Sequence, residues 1–242
     1  MNLVIDAGNT LIKIAVFDKK EILHYQRSTL LDFSNHVKII FDAFPHITNA
    51  IVSSVSSLDE KDVLVLSVFC RVHFLSHQSK LPFKNSYATP QSLGVDRLAL
   101  ATAAFCDNPS KNTLIIDAGS CVTYDIVNDF GEYLGGAISP GINMRYKAMH
   151  NQTSNLPLLE KEDLLDFIGN STQTCMQSGV INGICNEIDG VIDQYNSRFA
   201  DLTVILTGGD AQFLSKRLKN TIFAHSNFLL QGLNYLLEYN KN

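Results

Sequence analysis

Apolar positions come in short runs separated by polar turns. The chain opens Leu3-Val4-Ile5, meets Asp6-Ala7-Gly8-Asn9-Thr10, and resumes as Leu11-Ile12-Lys13-Ile14-Ala15-Val16-Phe17-Asp18. An apolar run, a Gly turn and a second apolar run predict a β-hairpin. The same order returns at Leu114-Ile115-Ile116-Asp117-Ala118-Gly119-Ser120-Cys121, followed by Val122-Thr123-Tyr124-Asp125-Ile126-Val127-Asn128-Asp129. Ile-Asp-Ala-Gly is identical in both copies, which lie 111 residues apart, and each copy ends in Asp at that offset. The repeat predicts two related halves, each opening with a hairpin. The polar stretch 107–112, which contains Pro109, reads as a linker, giving domains 1–110 and 111–242.

Further strands are expected at Ala50 to Ser53, Val63 to Phe69, Val72 to Leu75 and Leu202 to Leu206. Arg97 to Cys106 is rich in Ala and Leu and predicts a helix. In 174–199 the apolar residues Ile181, Ile184, Cys185, Ile188, Val191, Ile192 and Tyr195 recur at three and four, the spacing of one helix face. Helices are also expected at Ala211 to Leu218 and Asn227 to Tyr239; whether the last packs on its own half or on the first is open. Strands mixed with helices in two halves predict an α/β class with a cleft between domains.

Composition narrows the function. Apolar residues make up 45% and charged residues 18%, which excludes a mostly disordered chain. Net charge is −5, and the densest basic cluster is Lys216-Arg217 with Lys219, so a nucleic-acid partner is not expected. No apolar stretch approaches the ~20 residues that span a bilayer. The N-terminus has no basic region before Asp6, so no signal peptide and a cytoplasmic location are expected. Five cysteines without a C-x-x-C pair read as free thiols acting as small core residues.

Candidate chemistry lies in the turns. Asp6-Ala7-Gly8-Asn9-Thr10 offers a carboxylate at a strand end, a Gly that lets phosphate approach the backbone, and two hydrogen-bonding side chains, with Lys13 just beyond. Neither G-x-x-x-x-G-K-[ST] nor G-x-G-x-x-G occurs, which excludes P-loop and Rossmann sites. One such hairpin is an ordinary turn; two in paired halves point to a nucleotide held by both. Thr207-Gly208-Gly209-Asp210-Ala211, between a strand and a helix, adds a third close-approach turn. Gly94-Val95-Asp96-Arg97 opens the Ala-rich helix. Alone it reads as a cap with a surface ion pair; functionally, it offers a carboxylate for a substrate hydroxyl proton and a guanidinium for a polar substrate group.

Taken together these motifs resemble the type III pantothenate kinases, members of the actin-like (ribonuclease H-like) superfamily that includes acetate and sugar kinases. The resemblance runs nearly end to end: Asp6 to Thr10 with Lys13, Tyr87-x-x-Pro90-x-x-Leu93-Gly94-Val95-Asp96-Arg97, Ile116 to Ser120, Gly135 to Gly141, Asn170-Ser171-Thr172 ahead of Gln177-Ser178-Gly179, and Thr207 to Ala211. It implies ATP-dependent phosphorylation of pantothenate by two duplicated actin-like half-domains. Asp6, Ala7, Gly8, Asn9, Thr10, Leu11, Ile12, Lys13 and Ser120 are then ATP-binding, with Asp6 near Mg²⁺ and the phosphates. Asp96 becomes the general base; Tyr87, Gly94, Val95, Asp96, Arg97 and Thr172 the pantothenate contacts, with Ser171 the fallback for Thr172. Asp117 becomes the ligand of a monovalent cation, potassium or ammonium. A homodimer is also implied. Ser120 stands where the family usually has Thr, which keeps the hydroxyl. Another small-molecule kinase of the superfamily, or a non-catalytic regulatory relative, are the alternatives.

Overall fold

A computed structural model describes residues 1–8, 11–54, 58, 60–163 and 166–241, with the side chains of 54 and 60–63 excepted. Asn9 and Thr10, expected to bind ATP, lie outside the described residues. The chain divides into two compact units. Met1–Asp107 and Asn227–Asn242 form the first, and Asn108–Ser226 the second.

The first unit holds β1 (Asn2–Ala7), β2 (Ile12–Asp18), β3 (Glu21–Ser28), α1 (Phe33–Ala43), β4 (Asn49–Ser54), α2 (Glu60–Phe69), β5 (Arg71–Phe74), a two-residue strand β6 (Lys84–Asn85) and α3 (Val95–Asp107). Its sheet runs β3-β2-β1-β4-β5, antiparallel at β1–β2 and β2–β3 and parallel at β1–β4 and β4–β5. The second unit holds β7 (Thr113–Ala118), β8 (Cys121–Val127), β9 (Glu132–Pro140), α4 (Ile142–Gln152), α5 (Thr172–Arg198), β10 (Thr203–Thr207), α6 (Ala211–Ser215) and β11 (Phe223–Ala224). There β9-β8-β7-β10-β11 repeats the same order and the same strand directions. The duplication expected from the two Ile-Asp-Ala-Gly copies is thus a duplicated sheet.

Period-two alternation decides which side chains are buried together. In the first unit Leu3, Ile5, Ile12, Ile14 and Val16 face Phe33, Val37, Ile40 and Leu66 of α1 and α2. The opposite face, with Val4, Ala15, Phe17 and Ile51, is covered by Ala99 of α3 and by Leu230, Leu233, Leu236 and Leu237 of α7 (Phe228–Asn240). The last helix therefore belongs to the first unit. Its approach to α3 is close enough that a Cβ on Gly232 would stand 1.9 Å from the Ala99 carbonyl oxygen. The buried amide of Asn234 fixes the ends of this packing: it accepts from Asn2 Nδ2 (2.7 Å) and donates to the Lys19 carbonyl (2.7 Å). In the second unit Leu114, Ile116, Val122, Tyr124 and Ile126 pack under Ile181, Ile184 and Ile188 of α5.

Three sequence expectations need correction. Val63 to Phe69 is helix, not strand. Its apolar run, broken only by Ser67, fits either period, and packing decides: Leu66 is fully buried and Phe69 stacks on Phe41 at 4.6 Å, while Leu64 and Val68, four apart, face outward. The 111-residue offset holds only as far as the turn. Ala7 pairs with Ile12 across residues 8–11, whereas Ala118 pairs with Val122 across 119–121. One fewer turn residue shifts the second strand, so Lys13 corresponds to Thr123 and the matching Asp18 and Asp129 are coincidental. Burial confirms the shift, since Ile12, Ile14 and Val16 face the core as Val122, Tyr124 and Ile126 do. Finally, Cys175 is exposed on the first turn of α5 rather than being a core thiol; all five cysteines are free, and burial pushes the Cys70 thiol up to about 11. Among the described residues no helix is long and apolar enough to cross a membrane.

Candidate active site

In the first unit, Asp6 is the last residue but one of β1 and Lys13 the second of β2. The two are direct cross-strand partners, and the Lys13 ammonium donates to Asp6 Oδ2 at 3.1 Å. Asp6 is buried, with 7% of its side chain exposed, whereas Lys13 is 40% exposed and can reach outward. Burial raises the Asp6 carboxyl above its ordinary range. Lys13 opposes this through charge and hydrogen bond, and the nearby Asp96 carboxylate adds to the rise.

Asp96 stands in the first turn of α3, where its Oδ1 accepts from the Arg97 N–H at 2.9 Å. The carboxylate folds back over Gly94: a Cβ there would lie 2.4 Å from Asp96 Oδ1. Arg97 is buried, and its guanidinium lies over the Tyr87 ring at 5.7 Å from the centroid. Tyr87 is itself half-buried, and its N–H is anchored on Asn85 Oδ1 at 3.0 Å. His77, which sequence reasoning did not connect to the site, bonds the Leu93 carbonyl at 2.7 Å and so holds the chain immediately before Gly94. Ala7 and Ile12 are buried and have only backbone to offer a ligand; Gly8 closes the turn by donating to the Leu11 carbonyl at 3.3 Å.

In the second unit Asp117 is the last residue but one of β7, the position Asp6 has in β1. Its ladder partners are Thr123 on β8 and Thr207 on β10, so the three share one face of the sheet. The Thr123 hydroxyl is buried without a hydrogen-bond partner. Gly208 follows with φ 97°, and a Cβ there would stand 2.4 Å from both Asp117 Oδ1 and the Ala118 carbonyl oxygen. Only glycine fits. The Asp210 N–H donates to that same carbonyl at 2.9 Å, locking the Thr207–Asp210 turn onto the hairpin. Lys161, from the loop after α4, pairs with the Asp210 carboxylate and lies over the Phe213 ring at 5.6 Å. No sequence motif singled out Lys161. Ser120 is exposed at the tip of the hairpin, where its carbonyl accepts the Gly141 N–H at 3.1 Å; a Cβ on Gly141 would meet the Gly119 oxygen at 2.1 Å.

Thr172 lies in the first turn of α5, exposed. Ser171 is the N-cap of that helix. Its hydroxyl accepts from the Thr174 N–H at 3.2 Å, and the Thr174 side chain returns the bond, so Ser171 is committed to capping.

The family model described as type III pantothenate kinase matches residues 2–194. The chain belongs to the type III pantothenate kinase family. A protein of that name from Christiangramia forsetii is 51% identical over 241 residues, covering 100% of this chain and 99% of its own. Among solved structures, a Campylobacter jejuni protein assigned to the Baf family of transcriptional activators superposes with a TM-score of 0.62 at 24% identity, over 99% of each chain. A glucokinase from an Antarctic psychrotroph superposes at 0.53 with 14% identity, over 98% of each chain. At these identities the likeness extends to the fold alone.

Proposed function

We propose that this pantothenate kinase family member transfers the γ-phosphoryl group of ATP to the primary hydroxyl of pantothenate, the first step of coenzyme A biosynthesis, in the cytoplasm. The observation that carries this reading is the Asp96 carboxylate, held at the start of α3 and folded back over Gly94, in the same unit as the Asp6–Lys13 pair. Phosphoryl transfer asks for positioning, charge neutralisation and one group that takes a proton. Lys13 meets phosphate charge, Gly8 opens the backbone to it, and Asp96 takes the hydroxyl proton. Because the transition state is loose, that proton leaves late, and an ionised carboxylate in hydrogen-bond reach is enough. Arg97, kept in place by Tyr87, orients the polar end of pantothenate. Thr172 is the better candidate for a further pantothenate contact, since the Ser171 hydroxyl is occupied.

Kinases of this kind use ATP with a divalent ion. Among the described residues no three His, Cys, Asp or Glu side chains gather as a cage. One acid beside an open backbone turn suits Mg²⁺ carried in with the nucleotide, which usually keeps several waters and takes only one or two protein carboxylates. Asp6 is that carboxylate. A monovalent cation, potassium or ammonium, belongs at Asp117, where it supplies positive charge near the phosphates. The glycine at 208 and the unpartnered Thr123 hydroxyl fit such an ion, because a single carboxylate among neutral oxygens matches a hard cation of low charge. Ser120, at the hairpin tip, contacts the nucleotide. A homodimer completes the reading on family resemblance, and light scattering checks it.

The deciding experiment is a coupled ATP assay with pantothenate, run with potassium and with choline in its place. Turnover that needs pantothenate supports the reading. Phosphorylation of a sugar or of acetate, with none of pantothenate, overturns it.

A further inference from the structure

The two units carry one acid each at the same place in the same sheet and differ in what stands beside it. In the first, the ladder row is Ser53–Asp6–Lys13, and a tethered ammonium answers the carboxylate at 3.1 Å. In the second the row is Thr207–Asp117–Thr123, and the position of the lysine holds a threonine. The Thr123 hydroxyl is buried and has no hydrogen-bond partner. A buried polar atom in that condition costs stability unless something meets it. The approach to Asp117 is kept open by Gly208, since any Cβ there would crowd the carboxylate oxygen at 2.4 Å.

We propose that Thr123 Oγ1 is, together with Asp117, a ligand of the monovalent cation, which does in the second unit what the Lys13 ammonium does in the first. The inference rests on the assignment of that cation to Asp117. Its chemistry is specific. A hydroxyl keeps lone pairs for a cation, whereas an ammonium side chain has none. The substitution of Lys by Thr thereby converts a fixed positive charge into an exchangeable one.

Thermal unfolding without nucleotide tests this, in potassium chloride and in choline chloride of equal ionic strength. Wild type gains Tm in potassium, because an ion that binds only the folded state stabilises it. Thr123→Val unfolds in choline no lower than wild type, having lost only an unsatisfied hydroxyl, and its potassium increment shrinks severalfold. Thr123→Ser keeps the increment. Thr123→Lys brings back the tethered ammonium and becomes indifferent to potassium. Should valine not be accommodated, Thr123→Ala gives the same readout with a smaller side chain. A full potassium increment in both Thr123→Val and Thr123→Ala overturns the inference, and the hydroxyl's partner is then not the ion. Asp117→Asn separates the two claims. If it abolishes the increment while Thr123→Val keeps it, only the role of Thr123 falls. If wild type shows no increment at all, the cation assignment falls and the inference with it.

Discussion

The acid of the first unit and the acid of the second share a strand position, an Ile-Asp-Ala-Gly sequence and a sheet order, yet their surroundings differ. Asp6 is buried against a lysine; Asp117 is half-buried between two threonines, beside a glycine. Duplication thus preserved the scaffold and released the side chains. The first row is built around a charge pair, and the second sets its acid between two threonines.

The sharpest way to break this asymmetry is to remove Asp96, the proposed base of the first unit. Asp96→Asn should lower kcat by about 100- to 10,000-fold, the usual range for a general base, with little change in Tm or in KM for pantothenate. Steady-state kinetics decide; near-normal kcat would move the base elsewhere. Lys13→Met strips the first row of its tethered cation. It should lower kcat/KM for ATP by about 10- to 100-fold, the worth of a hydrogen bond to a charged group, while KM for pantothenate stays within experimental scatter.

The electrostatics of Asp6 make a prediction of opposite sign for stability and activity. Its carboxyl is raised in the folded chain, so the folded chain holds a proton that the unfolded chain releases between the two pKa values. Ionisation of Asp6 therefore costs stability near neutral pH. Asp6→Asn should remove turnover yet unfold at the same temperature as wild type or higher at pH 7, and the advantage should vanish as pH falls below the ordinary carboxylate range. A lower Tm at pH 7 would show that the Lys13 pair outweighs desolvation.

Packing separates the units as well. Gly232→Ala forces a methyl group into the Ala99 carbonyl and should cost about 1–3 kcal/mol in denaturant unfolding. The smallest effect expected is at Glu187 on α5, which accepts from Tyr124 at 2.9 Å and from Arg145 at 2.5 Å. Burial pushes its carboxyl up, but the bonds from Arg145, Ser139 and Tyr124 and the arginine charge win, and the folded value lies below 4.5. Its contribution is present above 4.5 and fades as pH falls through the folded value. Glu187→Gln should cost about 1 kcal/mol at pH 7 and nothing in strong acid.

The hairpins were legible because Ile-Asp-Ala-Gly sits between apolar runs in both halves, and the α3 and α5 helices because their Ala content and three–four spacing are strong local signals. What escaped is long-range. Nothing in the run Val63 to Phe69 distinguishes helix from strand until Phe41 and the core claim Phe69 and Leu66. The one-residue difference between the turns hid the correspondence of Lys13 with Thr123, since coincident aspartates at 18 and 129 favoured the wrong offset. Cross-strand rows such as Thr207–Asp117–Thr123 join residues 84 positions apart, and no local pattern announces them. Lys161 and His77 act through loop contacts, which have no period at all.

The return of α7 to β1 and α3 makes the first unit discontinuous along the chain. A ribosome that has released residues 1–107 has made a sheet with one side bare: Val4, Ala15, Phe17 and Ile51 wait for Leu230, Leu233, Leu236 and Leu237. Co-translational folding of this half cannot finish before the second half has emerged, and a cut at residue 108 yields one self-contained fragment rather than two.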